Sequence, residues 1–367
     1  MQRVPVLSPG STPLMPTKAS RARRWVRDGK AVGKFSDLGI YYVQLLAEPS
    51  DYNIQPIAVG IDPGKLYSGV AVQSKHNTLW TGHLELPFET IKRRMENRRM
   101  LRRGRRGRRI NRKVAFCLRN HRQVRFSNRR KREIPPSIKA NRQLELRVIR
   151  ELLKVFPIYK AYYEYVKADV DLTSGRRKAR SGKGFSPVMV GQKWAIKELE
   201  KLIFVETKFG YQTALMRTRL GLEKTQVKSE QSINSHAVDG IALACHEFFN
   251  YETFHTAEGS GKEWVGSVRV TKAPFAVIKR PPFSRRELHK AVPKKGGVRG
   301  KYGGSVTESG LRKGDLVNTP KGVFYVSGQT GNRISISDSN WKRITKVTTS
   351  KVNLLRRSNG LLVDIAS

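Results

Sequence analysis

Residues 92–132 place the strongest constraint on how this chain can fold. Twenty of these 41 residues are Lys or Arg, and Glu96 is the only acid. Arg and Met favour helix. Yet the arginines fall on every face, so no apolar stripe is available to a core. Gly104 and Gly107 weaken the middle, and like charges four residues apart repel. A charge run is ordinarily a solvated face or a tail. That reading suits a short terminal run better than a long central one.

The whole chain shares the bias. Seventy-two Lys and Arg stand against 29 Asp and Glu, a formal net charge of +43 over 367 residues. An excess of this size repels itself unless an anion sits on it, and points to nucleic acid. A membrane is not expected as the partner. There is no apolar run of about 18 residues to span one, and MQRVPVLSPGSTPLMP lacks the apolar core of a secretory signal. Anionic leaflets attract juxtamembrane or amphipathic basic segments, whereas here the charge runs throughout. Hydrophobic residues make up 38%, so the core is modest. The two cysteines, Cys117 and Cys245, cannot build a disulfide framework or a four-thiolate zinc site. A reducing, cytoplasmic setting is expected.

Local patterns divide the chain. Residues 1–50 read as a small αβ module, with a basic helix within 18–27 and a strand at 41–46. Ile57–Ile61, Gly69–Gln73 and Thr78–Leu84 read as three strands of an antiparallel meander. An amphipathic helix is expected over 138–156, with Leu144, Val148, Leu152 and Val155 on one face, stopped by Pro157. Residues 158–166 alternate like a strand and carry Glu164. Residues 170–188 form a basic Gly/Ser-rich loop. Helix is expected over 191–202 and 234–251, and a strand over 203–207. Beyond about 260, short Val/Ile/Tyr/Phe runs between turns read as a small β-barrel or β-sandwich.

Four residues carry chemistry. Asp62 ends a buried strand, and Glu164 lies in another. His236 and Asp239 stand at i and i+3 on a helix start, so both face one side. Three carboxylates and an imidazole make a mostly oxygen site, suited to Mg²⁺ or Mn²⁺ rather than zinc. Each residue also has a bland role. Asp62 could form a turn, Glu164 could face solvent on an edge, and His236 could cap the helix after Asn234. The order of the four is what argues for a site.

Several segments resemble one family. GIDPGKLYSGVAV, YYEYVKAD and SHAVDGIAL resemble the three motifs of RuvC-type nucleases, which have an RNase H-like α/β fold. The arginine segment resembles the bridge helix of CRISPR type II effectors. SPGSTPLMPTKASRARRWVRDGKA resembles the N-terminal PLMP module of the transposon-encoded IscB and IsrB proteins, and FVETKFGYQTALMRTRLGLEKTQV their stretch before the third motif. The 71 residues between Glu164 and His236 contain no histidine, so an HNH nuclease is missing. The resemblance is therefore to the RuvC-only IsrB group. It implies a PLMP module at 1–54, RuvC parts at 55–91, 133–169 and 190–258, and a bridge helix at 92–132. A basic loop at 170–189 stands in place of HNH, and a β-rich domain at 259–367 reads the target-adjacent motif.

The resemblance also implies an activity: RNA-guided nicking of the displaced strand of a DNA duplex, in a prokaryotic, nucleoid-associated setting. Asp62, Glu164 and Asp239 would hold two Mg²⁺ ions, with Mn²⁺ as a substitute. His236 would be a ligand or a proton acceptor. Lys65 and Ser68 could touch phosphate or solvent. Arg93, Arg94, Arg98, Arg99, Arg102, Arg103, Arg105, Arg106, Arg108, Arg109 and Arg112 would contact a large structured guide RNA, one protein per RNA. Guanidinium groups suit that role, binding phosphate in a fork and stacking on bases. Base pairing would choose the DNA target, with Gln329, Asn332, Arg333, Lys342 and Arg343 as candidate readers of the short adjacent motif. A nuclease without a guide, and a non-enzymatic RNA-binding structural protein, are the competing readings.

Overall fold

The computed structural model describes residues 2–107, 113–118, 134–166, 187–256, 259–282 and 306–366. The N-terminal stretch pairs β1 (Arg3–Leu7), β2 (Pro13–Lys18), β3 (Ala31–Phe35) and β4 (Tyr41–Leu45) in the order β2-β1-β4-β3. Helix α1 (Ala19–Arg27) keeps its arginines outward and sets Ala22 and Trp25 against Val4, Val6, Leu14 and Val43.

The main body is a mixed α/β sheet. The meander forms β5 (Ile57–Asp62), β6 (Tyr67–Ser74) and β7 (Thr78–Glu85), all antiparallel. The chain then runs through α2 (Phe88–Gly107) and α3 (Pro136–Leu153) into β8 (Lys160–Tyr165). Next come α4 (Pro187–Glu200), β9 (Phe204–Phe209), α5 (Gly210–Arg219), a π-helical turn (Ile233–Ala237) and α6 (Val238–Cys245). β8 runs parallel to β5, and β9 parallel to β8.

Strand alternation sorts the two faces of this sheet. Val59, Ile61 and Tyr163 join one large core with Leu144, Val148 and Leu152 of α3 and Ala195 and Leu199 of α4. Ala58 and Tyr162 face the other way and pack on Leu243 and Ala244 of α6. Glycine lets α6 lie directly on that second face. A Cβ at Gly60 would stand 2.0 Å from the Gly240 carbonyl oxygen, and one at Gly69 would stand 1.7 Å from the His236 carbonyl oxygen.

Several boundaries differ from expectation. The helix expected over 234–251 ends at Cys245. After one 3-10 turn the chain enters β10 (Phe249–Thr256), which pairs residue for residue with β11 (Gly259–Gly266). Phe249 and Tyr251 suit a strand, and Phe249 is buried on Ile241 and Cys245. The 259–367 stretch is not a separate β domain throughout. β12 (Phe275–Lys279) pairs parallel with β7, and β18 (Leu362–Ala366) pairs antiparallel with β12. The central order is therefore β18-β12-β7-β6-β5-β8-β9.

Between those two strands lie β13 (Leu316–Thr319), β14 (Gly322–Thr330), β15 (Arg333–Ser337), β16 (Arg343–Thr348) and β17 (Asn353–Arg356). They form one five-stranded antiparallel sheet, in place of the expected barrel or sandwich. Its core is a small cluster around Val317, Val326, Ile334 and Ile336.

The arginine segment is helical from Phe88 to Gly107, and its side chains from 92 to 104 are exposed or half-buried. Arg94 donates to the Pro282 carbonyl oxygen at 2.7 Å. Arg108, Arg109, Arg112 and most of the 170–188 loop lie outside the described residues, as do the side chains of Arg105 and Arg106. No helix among the described residues is long and apolar enough to cross a membrane.

Candidate functional site

Asp62 is the last residue of β5. Ile61 pairs with Tyr163, so Asp62 and Glu164 are the next residues on two parallel neighbours. Both fall on the face that α6 covers, and at the carboxyl ends of their strands. Open α/β sheets present their ligand-binding crevices at such ends. The π-helical turn and the first turn of α6 bring His236 and Asp239 to the same place. Asp62 and His236 are each 8% exposed and Asp239 3%, while Glu164 is half-buried.

His236 Nδ1 lies 3.0 Å from Asp62 Oδ2. A carboxylate accepts, so Nδ1 carries a hydrogen, and in the neutral imidazole Nε2 holds the lone pair. That Nε2 is buried without a protein partner among the described residues. His236 is therefore not a helix cap, and no side chain caps this turn.

The acids sense one another. Burial pushes the Glu164 carboxyl up to about 7, and the negative charge of Asp62 adds to the rise. The neighbouring Thr213 hydroxyl and the charge of Lys224 oppose it. Asp239 is also raised, first by burial and then by Asp62. Against that, Lys224 Nζ donates to its Oδ2 and Arg217 Nε stands 3.0 Å from its Oδ1. The structure thus brings Asp62, Glu164, His236 and Asp239 into one electrostatic cluster.

Other groups surround these four and were not anticipated. Tyr67 stacks on His236 with ring centres 5.8 Å apart, and His83 lies 5.7 Å from His236 on another side. Ser235 Oγ gives its hydrogen to the Ser232 carbonyl, so it accepts from His83 Nδ1 at 3.1 Å. Burial, then the neighbouring His236, pushes His83 down to about 4, so it is neutral at pH 7. Arg217 and Lys224 sit inside the FVETKFGYQTALMRTRLGLEKTQV stretch, but their types alone did not mark them. Ser68 is fully buried and bonds to Glu145, so it does not face phosphate. Lys65 is exposed, its ammonium 4.8 Å from the centre of the Phe88 ring.

The candidate DNA readers are not gathered in one place. Gln329, Asn332 and Arg333 stand at the β14–β15 turn. Lys342 and Arg343 stand at the other end of β15, where Arg343 pairs with Ser337. At about 3.3 Å per residue the two groups are roughly 13 Å apart along the strand. Gln329 already accepts from Ser309 Oγ at 2.9 Å and donates to the Gly331 carbonyl at 2.8 Å.

The donor chemistry fits a hard divalent cation. Buried carboxylates whose charges raise one another need a counter-charge, and the bare Nε2 offers a further donor. The cluster is not closed into a coordination shell. Among the described residues no three acidic, histidine or cysteine side chains stand at metal-holding spacing. Lys224 and Arg217 supply the positive charge at Asp239 instead.

Residues 4–184 match the family model described as RRXRR protein, which is just under half of the chain. The matched stretch contains Asp62 and Glu164 but not His236 or Asp239. Arg102-Arg103-Gly104-Arg105-Arg106 spells the pattern in that description. Two solved structures are similar. One is Thermus thermophilus RuvC in complex with a Holliday junction substrate, 14% identical, with a TM-score of 0.25. The other is Thermus thermophilus RuvC, 15% identical, with a TM-score of 0.22. Each comparison covers 51% of this chain and 90% of the other. No curated protein matches the sequence. At that level of likeness the side chains, not the overlap, have to carry any functional reading.

Proposed function

We propose that this chain is an RNA-guided endodeoxyribonuclease of the IsrB kind. In this reading a large guide RNA pairs with one strand of a DNA target, and the protein nicks the displaced strand. One observation carries it: buried Asp62 and half-buried Glu164, at the ends of two parallel strands, meet buried His236 and Asp239 from the helical segment that covers them. A solvated turn residue or an edge carboxylate would have no reason to be there.

Asp62, Glu164 and Asp239 would hold Mg²⁺ or Mn²⁺, with His236 as a further donor. Bound there, such ions would supply Lewis acidity for the attacking water and the leaving 3′-oxygen of a phosphodiester. Asp62 fixes the His236 ring and its tautomer. The Nε2 lone pair is then free either to bind a cation or to take a proton from the attacking water. Lys224 and Arg217 lie against Asp239 and offset its charge. The arginines exposed along α2 would meet RNA phosphates, and the five-stranded sheet would lie against the duplex beside the target.

The test is supercoiled plasmid carrying a matched target, with the co-purified RNA and Mg²⁺. Open circles are expected, and Asp62→Ala should abolish them while RNA binding persists. Linear product would refute the nickase. Cutting without RNA would favour a guide-free nuclease. Absence of any metal-dependent cleavage would favour a structural RNA-binding protein.

A further inference from the structure

The turn that follows Asp62 is gripped from the opposite face of the sheet. Arg142 and Glu145 of α3 are each 3% exposed. Arg142 NH1 donates to both Glu145 carboxylate oxygens at 2.8 Å and to Tyr163 Oη at 3.1 Å. Its NH2 donates to the Gly64 carbonyl oxygen. Ser68 Oγ donates to Glu145 and accepts from the Gly64 N–H at 3.0 Å. Asn141 Nδ2 donates to the Lys65 carbonyl oxygen at 2.7 Å. Both main-chain polar groups of Gly64 are therefore fixed, directly or through Ser68, by one turn of α3. Gly64 is irreplaceable in this turn, since a Cβ there would stand 1.7 Å from the Tyr67 carbonyl oxygen.

Stability alone explains this poorly. A buried ion pair gives little or no net stability over apolar residues of similar size. The pair instead sits where it can hold backbone. Asp62 lies two residues before Gly64, and Tyr163 lies one residue before Glu164 on β8. Arg142 thus bonds to both segments that present the site carboxylates.

We propose that Arg142 and Glu145 are positioning residues, a buried clamp that holds the Asp62 turn in register with Glu164. The proposal rests on the nuclease reading. Neither side chain reaches substrate; they act through the Gly64 main chain and Ser68.

The test compares wild type with Arg142→Met/Glu145→Leu, and with Ser68→Ala, which removes only the link to Gly64. Each is the full chain with its co-purified RNA. Three quantities are read: the thermal midpoint, amide exchange at Gly64, and Mn²⁺ affinity by electron paramagnetic resonance. Site-bound Mn²⁺ is taken as the part that Asp62→Asn removes. The double variant leaves the Gly64 carbonyl, Tyr163 Oη and Ser68 Oγ without these partners, so its midpoint should fall modestly while the chain stays folded. Its Gly64 amide should exchange at least about 10-fold faster, and its site affinity should fall about 10- to 100-fold, as for groups that orient metal ligands. Ser68→Ala should move both in the same direction by less. The nicking rate at saturating DNA should fall with the affinity, while the KM for DNA stays unchanged.

Unchanged Mn²⁺ affinity in both variants overturns the clamp, whatever the exchange does. So does a collapse of the double variant's midpoint with Ser68→Ala indistinguishable from wild type. Wild type that neither binds site Mn²⁺ nor cuts overturns the nuclease reading itself.

Discussion

Nδ1 of His236 and Oδ2 of Asp62 lie 3.0 Å apart across 174 positions of sequence. The contact orients the imidazole and leaves Nε2 buried with no hydrogen-bond partner among the described residues. His236→Ala should lower the single-turnover nicking rate by about 100-fold or more, the range for a lost general base. RNA retention on a filter should not change. A rate within a few-fold of wild type would assign the imidazole to packing.

In the proposed site Lys224 would compete with a cation for Asp239. Its ammonium bonds to Oδ2 and Arg217 pairs with Oδ1. Lys224→Met should therefore tighten Mn²⁺ binding several-fold, measured by paramagnetic resonance. Weaker binding would show that Lys224 helps to shape the site rather than to occupy it.

Two glycines should respond in opposite ways to alanine. At Gly60 a Cβ meets the Gly240 carbonyl and the Ala244 nitrogen, both main chain that cannot yield without moving α6. Overpacking of this sort costs roughly 1–3 kcal/mol, read as a lower urea midpoint. At Gly104 nothing lies within 4 Å. Gly104→Ala should favour α2 by up to about 1 kcal/mol, seen as added helical circular dichroism.

His246 should shape the acid limb of stability. Burial, then the charge of Lys208, pushes it from 6.5 down to about 4. The unfolded chain takes up the proton more readily, so the contribution is intact above pH 6.5. It is lost as pH falls towards 4. His246→Phe should flatten the change in urea midpoint between pH 7 and pH 4.5. An equally steep limb in the variant would mean that other groups set it.

Much of this architecture is written in local pattern. The apolar runs at 57–61 and 69–73 and the helical spacing of Leu144, Val148 and Leu152 signal their elements plainly. Asp62, Glu164, His236 and Asp239 are legible through their order along the chain, a strand-end acid, a strand acid and a helix-start His and Asp, more than through any one of them. Partnership over distance is less visible. FAVIK and LVDIA are short apolar runs with no mark saying that they extend the central sheet beside β7. The helix end at Cys245 is hidden because Ala237, Ile241, Ala244 and Phe248 keep helical spacing past it. Arg142 and Glu145 look like an ordinary surface pair at i and i+3. Only the turn packed over them makes them buried. Lys224 is one lysine among many until α6 carries Asp239 to it.

The pairing of β12 with β18 has a practical consequence. Lys279 and Leu362 are register partners in an antiparallel pair, so everything between them is, topologically, one very long hairpin loop. A two-residue Asn-Gly turn suits such a junction. The five-stranded sheet could then be lifted out as a cassette, or exchanged for another, while the strand order beside Asp62 and Glu164 is kept. Among the described residues the cut would lose the bonds from Tyr325 Oη to the main chain of Val363 and from Ser339 to Asp364, those of Lys279 to Asn340 and Arg94 to the Pro282 carbonyl, and those of Arg356 and Asn359 to the main chain at Ser36 and Asp37.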